Sequence, residues 1–225
     1  MCCLITHASC ARSLSINVYL KLKPTNQVSS LITDFNHFLQ QKKILSQYHI
    51  HPFINTHPLH ITLYLTTYEE KYIPEIMKQT QTLAKQQKKI PIATGQFVSS
   101  ENGYVMLSVG RSEQLQQLSD RTVNILTSLH DKKALIPAWA AQNPQRSNMF
   151  YRYGSPGVMN YFNPHFSIFD REKQNAQLEE QLKRLITQFS SRHSTQVKAM
   201  TYSIGVGIAD AQGQIVKELA EFELK

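Results

Sequence analysis

The sequence predicts an α+β fold of two pseudo-symmetric lobes, each an antiparallel sheet with helices on its outer face, enclosing a central cleft. Three observations carry that prediction. A histidine-headed strand, an amphipathic helix and a hairpin follow one another twice along the chain. The two histidine strands read alike, His60-Ile61-Thr62-Leu63 and His165-Phe166-Ser167-Ile168, in each case histidine, apolar, hydroxyl, apolar. No polar linker divides the halves, so residues 12–225 are expected to fold as one bilobal domain with a lobe boundary at roughly 130–145.

The elements follow from pattern. Leu14, Ile16, Val18, Leu20 and Leu22 alternate with polar residues, the period of a half-buried strand. Pro24 and Thr25 end it, and Val28, Leu31, Ile32, Phe35, Phe38 and Leu39 then fall at helical spacing. An irregular stretch from Ile44 to Pro58 leads to the first histidine strand, 59–66. A helix from Glu69 to Lys88 follows, with Pro74 tolerable in its first turn. Strands 90–98 and 104–109 form a hairpin around Glu101-Asn102-Gly103, where Asn-Gly supplies the positive φ of a tight turn. Ser112 opens a helix whose stripe is Leu115, Leu118, Thr122, Ile125, Leu126 and Leu129. Residues 130–163, rich in proline, glycine and aromatic residues, read as a short strand and a long ordered loop. The second histidine strand, 164–170, leads to a helix over 173–189 and a final hairpin, 196–209 and 214–224, turning at Asp210–Gly213.

Side chains alternate between the faces of a strand, so His60 and Thr62 share one face while Ile61 and Leu63 take the other. His165 and Ser167 project together in the same way. The same parity puts Tyr64 and Phe169, each four residues after its histidine, on the cleft side as wall residues.

Composition bounds the function classes. No apolar run approaches the ~18 residues of a membrane span. A net charge of +8 and a pI near 9.4 suit a polyanionic partner, although the lysines and arginines are scattered. All three cysteines, Cys2, Cys3 and Cys10, lie in the first ten residues, which gives neither a disulfide framework nor a spaced zinc site. Ser9-Cys10-Ala11 resembles a signal-peptidase site, so residues 1–11 read either as the remnant of a signal peptide, implying export, or as a disordered cytoplasmic N-terminus.

At its two tetrapeptides the chain resembles the two-histidine (2H) phosphoesterase superfamily, which includes 2′-5′ RNA ligase-like proteins and cyclic phosphodiesterases. The resemblance extends over about residues 14–224; Ser167 where threonine is commoner, and a longer insert over 140–163, are its departures. It implies a hydrolase acting on a cyclic phosphate or 2′-5′ phosphodiester of a nucleotide or RNA end. His60 and His165 would be general acid and base, in an order the sequence leaves open, because imidazole titrates near neutrality. Thr62 and Ser167 would donate hydrogen bonds to the phosphate oxygens. No metal or cofactor is expected, and the chain is expected to be a monomer. Arg152 is a candidate for a second phosphate and Tyr151, Tyr153 and Tyr161 for stacking on a base, with Tyr64 beside them; loop packing is the competing reading for each.

Two other classes compete. A non-catalytic RNA- or nucleotide-binding module would keep the fold and the charge without turnover. A metal site would use His49, His51, His57 and His60, but no Cys, Asp or Glu lies among them and the spacing matches no familiar zinc pattern.

Overall fold

The structure, a computed structural model, describes residues 12–100, 103–171 and 175–225. The leader-like segment 1–11, the turn residues Glu101 and Asn102, and the expected helix start at Lys173 lie outside the described residues.

Strand β1 (Ser13–Leu22) buries Ile16, Val18 and Leu20 on one face, as its alternation predicts. Helix α1 (Gln27–Gln41) starts where Asn26 accepts a hydrogen bond from the Ser29 amide, satisfying a donor the helix itself cannot. A single turn, α2 (Ile44–Gln47), precedes β2 (His60–Glu69). Strand β2 is longer than its sequence suggests. β1 offers it partners as far as Ser13 opposite Glu69, so pairing continues to Glu69 and helix α3 (Ile73–Gln86) begins later than expected. Strands β3 (Pro91–Ser99) and β4 (Tyr104–Val109) form the first hairpin, and α4 (Glu113–Leu126) is capped by Ser112.

The insert differs from expectation. In place of a strand it holds two helices, α5 (Ala138–Ala141) and α6 (Pro144–Tyr153), so Phe150-Tyr151-Arg152-Tyr153 is helical. Local signals explain this. Asn143 caps α6 by accepting from the Arg146 amide, Pro144 suits the first turn, and Gly154 ends the helix in the left-handed region at φ 71°. After β5 (His165–Asp170) come α7 (Ala176–Ser190), capped by Asn175, and the hairpin β6 (Lys198–Ala209) and β7 (Ile215–Glu223). Among the described residues no helix is long and apolar enough to cross a membrane.

All strand pairings are antiparallel, and the strands run β2-β1-β6-β3-β4-β5, with β7 on the other side of β6. Only Lys198–Met200 of β6 pair with β3; the rest of β6 lies between β1 and β7. The result is one seven-stranded sheet in two parts, β2-β1-β6-β7 and β3-β4-β5, joined where the start of β6 pairs with β3. Helices α3 and α4 pack on the first part, and α7 packs on β3. Phe35 of α1 stacks on Phe97 of β3 at 4.0 Å between ring centroids, and Phe189 of α7 meets both rings edge-on.

The strand–helix–hairpin unit does occur twice, but each hairpin serves the other half. The β3–β4 hairpin that follows β2 pairs with β5, and the β6–β7 hairpin that follows β5 pairs with β1 beside β2. Residues 130–145 therefore divide the halves of the chain without dividing the two parts of the sheet. Periodicity shows which face of a strand is buried and leaves its partner open.

Candidate active site

Strands β2 and β5 approach each other across the cleft to within 8 Å between Cα atoms. Each carries its histidine as its first residue. Ile61 and Leu63 of β2 and Phe166 and Ile168 of β5 are buried, while Thr62 and Ser167 keep partial exposure. Up to this point the parity is as expected.

It then breaks, at the same place in both strands. Tyr19 faces Thr62 but Val18 faces Tyr64, so Leu63 is an extra residue in β2. Met106 faces Ser167 but Val105 faces Phe169, so Ile168 is the extra residue in β5. A β-bulge reverses the facing of all that follows it. Tyr64 and Phe169 are turned into the core, at 1% and 0% exposure, which corrects their placement on the cleft wall. The Tyr64 hydroxyl donates to the Tyr153 carbonyl, and burial pushes its pKa up to about 12. Tyr64 ties the insert to β2 and does not face the cleft.

The imidazoles are held alike. His60 Nδ1 lies 2.9 Å from the Pro58 carbonyl, and His165 Nδ1 lies 2.7 Å from the Asn163 carbonyl, two residues upstream in each case. A carbonyl oxygen only accepts, so both Nδ1 atoms carry hydrogen and both Nε2 atoms remain for chemistry. Burial pushes His60 down to about 4, and the nearby His165 and His57 add to this, against the pull of the Pro58 and Gly213 carbonyls. His165 is also lowered by burial, and the Asn163 carbonyl opposes the shift.

This has a consequence for stability. An unfolded histidine takes up its proton near pH 6.5, whereas folded His60 resists until about pH 4. The resulting stability is present above the unfolded value and is lost as pH falls through that window, up to about 3 kcal/mol. Urea midpoints of wild type and His60→Gln measured across the window should converge as the pH drops; parallel curves would show that His60 is not the group responsible.

Asn17 and Tyr19, both fully buried on β1, lie against His60, a placement that alternation alone does not reveal. Asn17 Nδ2 donates to Thr62 Oγ1 at 2.9 Å and to the Gly213 carbonyl at 3.2 Å, and lies 3.5 Å from His60 Nε2. The Tyr19 ring meets His60 edge-on at 5.3 Å, and its hydroxyl donates to Glu218 at 2.7 Å. A polar residue on an alternating strand reads as solvent-facing; only the cleft reveals these two as buried. Tyr104 of β4 joins the two hairpins, its hydroxyl donating to the Gln212 carbonyl in the β6–β7 turn at 3.4 Å.

The insert residues divide. Tyr151 is 70% exposed on α6, and Arg152 is exposed with its guanidinium 5.0 Å from the Tyr153 ring. Tyr153 packs against the core, which removes it from the residues free to stack on a base. Tyr161, half-buried in the segment leading to His165, lies under the Arg146 guanidinium at 4.6 Å. The four clustered histidines do not converge: His49 and His51 are exposed, while His57 Nδ1 is engaged by the Ile215 carbonyl at 3.1 Å. Among the described residues no group of three or more His, Cys, Asp or Glu side chains is placed to hold a metal. A depression between α3 and α4, lined by Lys78, Leu83, Arg121 and Ile125 among others, lies on the outer helical layer and involves neither histidine.

The family model described as the 2′-5′ RNA ligase superfamily matches residues 33–203. No curated protein matches the chain. Among solved structures, the fold is similar to that of TT0787 from Thermus thermophilus, at 13% identity and a TM-score of 0.54 over 94% of this chain and 98% of that one. It is similar to Usb1 from Kluyveromyces marxianus at 14% identity and a TM-score of 0.53, over 93% and 97% of the two chains. E. coli LigT complexed with 3′-AMP gives 13% identity and a TM-score of 0.50, over 95% and 99%. At these identities the likeness is one of fold.

Proposed function

The chain belongs to the 2′-5′ RNA ligase superfamily, the two-histidine phosphoesterases, and from that membership we propose that it opens a cyclic phosphate, or cleaves a 2′-5′ phosphodiester, at a nucleotide or RNA end without a metal. The observation that carries this reading is the matched pair: two imidazoles on facing strands, each with Nδ1 tied to the carbonyl two residues before it.

The roles follow from environment. His60 is the more deeply buried and its Nδ1 hydrogen is held by the Pro58 carbonyl, so it stands neutral with the Nε2 lone pair available and is the base. His165 is half-exposed, and the substrate's phosphate anion favours its cationic form, so it is the acid. His60 Nε2 takes a proton from water as the water oxygen bonds to phosphorus. The bond from phosphorus to the ribose oxygen breaks, and His165 Nε2–H protonates that oxygen. Thr62 and Ser167 donate to the non-bridging oxygens as negative charge collects there. Exchange with solvent resets both imidazoles. The exposed Tyr151 and Arg152, together with Tyr161, are the residues we assign to the substrate beyond its phosphate.

The test is a panel of 2′,3′-cyclic nucleotides, an RNA ending in a 2′,3′-cyclic phosphate and a 2′-5′-linked dinucleotide, each with and without a strong chelator. Turnover of at least one substrate, indifferent to chelator, is expected. Thr62→Val and Ser167→Ala should each lower kcat by about 10²-fold, the typical effect of removing one donor to a developing oxyanion. Binding of these ligands with none opened would favour the non-catalytic module, and activity abolished by the chelator would favour a metal enzyme.

A further inference from the structure

We infer that Asn17 is a positioning residue for this reaction: its amide aims the Thr62 hydroxyl proton into the cleft and holds the Nε2 side of the His60 imidazole beside it. The inference rests on the function proposed above, and its geometry comes from a residue that neither tetrapeptide contains.

The amide can be oriented from chemistry alone. The Gly213 carbonyl, 3.2 Å away, can only accept, so the nitrogen of the Asn17 amide must face it. The same nitrogen lies 2.9 Å from Thr62 Oγ1 and 3.5 Å from His60 Nε2. Turned the other way, Asn17 Oδ1 would confront the Gly213 oxygen, a repulsion between two acceptors. The two hydrogens of the amide nitrogen go to the Thr62 hydroxyl and the Gly213 carbonyl, His60 Nε2 lies beside them, and Asn17 itself is fully buried.

Two consequences follow for the groups it touches. Thr62 Oγ1 is used as an acceptor by Asn17, so its own proton is directed elsewhere, which on this face of β2 is the cleft. His60 has its Nδ1 hydrogen committed to the Pro58 carbonyl, so the neutral imidazole carries its lone pair on Nε2, the atom beside the Asn17 amide. A general base needs that lone pair, and a phosphate needs that hydroxyl proton. Asn17 Oδ1 is buried without a hydrogen-bond partner among the described residues, so the side chain keeps this orientation at the expense of its own oxygen.

The test uses the full chain and a 2′,3′-cyclic nucleotide. Asn17→Asp replaces the donor with an acceptor of the same shape. It should lower kcat by about tenfold or more with little change in KM, since an interaction serving the transition state is lost. The carboxylate would also favour the His60 cation, so the acid limb of the kcat/KM profile should move to higher pH. The other titratable and charged groups around His60 are His57 before β2, His165 on β5, Tyr19 and Lys21 on β1, and Glu218 and Glu221 of β7, which hold Tyr19 and Lys21. None of these is altered by the substitution. Asn17→Ala should cost much less in a Thr62→Val background than in wild type, because the acceptor it served is gone.

Equal losses in both backgrounds with an unmoved acid limb would make Asn17 a packing residue and overturn the inference. Should the variants not fold, the wild type still decides: its histidine ¹⁵N spectrum should show His60 with hydrogen on Nδ1 and the lone pair on Nε2, and the opposite tautomer would overturn the inference. The spectrum needs no substrate. A wild type that opens no cyclic phosphate removes the proposed function, whereas turnover with the wrong tautomer or with additive losses removes only the role of Asn17.

Discussion

Alanine at His60 or His165 is expected to lower kcat/KM on the best substrate by about 10²–10⁴, the usual contribution of a positioned acid or base. The two losses should not add. Once either proton transfer is absent, the remaining imidazole has no concerted partner, and the double variant should be little worse than the poorer single one. The variants should also differ in pH dependence. His60 is the lone-pair residue, so His60→Ala should erase the acid limb and leave a rate that only falls with rising pH. His165→Ala should erase the basic limb. Exchange of those outcomes would reverse the assignment of base and acid, and full activity in either variant would end the two-histidine mechanism. Folding is controlled by the melting curve, since His60 packs against Tyr19 while His165 stands half-exposed at the start of an edge strand.

The second large effect is expected at Gly205. β6 passes beneath the Tyr19 ring so closely that a Cβ at Gly205 would lie 2.7 Å from the Tyr19 hydroxyl oxygen and closer still to two ring carbons. The ring cannot yield easily: one edge meets His60, and its hydroxyl is tied to Glu218. Gly205→Ala should cost about 1–3 kcal/mol, as overpacking of a filled interior does, and lower Tm by about 2–4 °C for each kcal/mol. Activity should fall further than stability accounts for, because the displaced ring has His60 in its path. In a Tyr19→Ala background, itself destabilised by loss of the ring, Gly205→Ala should cost much less than in wild type, because the methyl group then has room. Gly157→Ala, where a Cβ meets nothing within 4 Å, is the control and should stay within about 0.5 kcal/mol of wild type. A Gly205→Ala protein as stable as that control would mean that Tyr19 is not wedged as described.

Much of this molecule is legible in its residues alone, and the exceptions have physical causes. The strand and helix order follows from hydrophobic period, and Ser112 sits at the helix start where the sequence puts it. The facing of His60 with Thr62, and of His165 with Ser167, follows from the period of two. Alternation misplaces Tyr64 and Phe169 because one extra residue in each strand, Leu63 and Ile168, has no local signature, yet it inverts everything beyond it. Helix α6 escapes notice because its aromatic run outweighs the Asn143-Pro144 start and the Gly154 stop, both present in the sequence. Asn17 and Tyr19 stay hidden because polarity on an alternating strand does not distinguish a wet face from the floor of a cleft. Strand partners lie beyond reach for a further reason: pairing is decided by what the whole chain can bury together, not by any one strand.

That exchange of hairpins sets an order on biosynthesis. Ile16 of β1 waits for Ile208 of β6, and His60 gains its finished sheet only once β6 has left the ribosome. Until then β1 and β2 form a ribbon whose far edge has unpaired amides and carbonyls, the kind of edge that recruits strands from other chains. Holdase chaperones acting on the nascent chain should therefore matter more to the yield of this protein than to that of one whose halves close in turn, and a fragment ending before Lys198 should accumulate as aggregate rather than as an independent half.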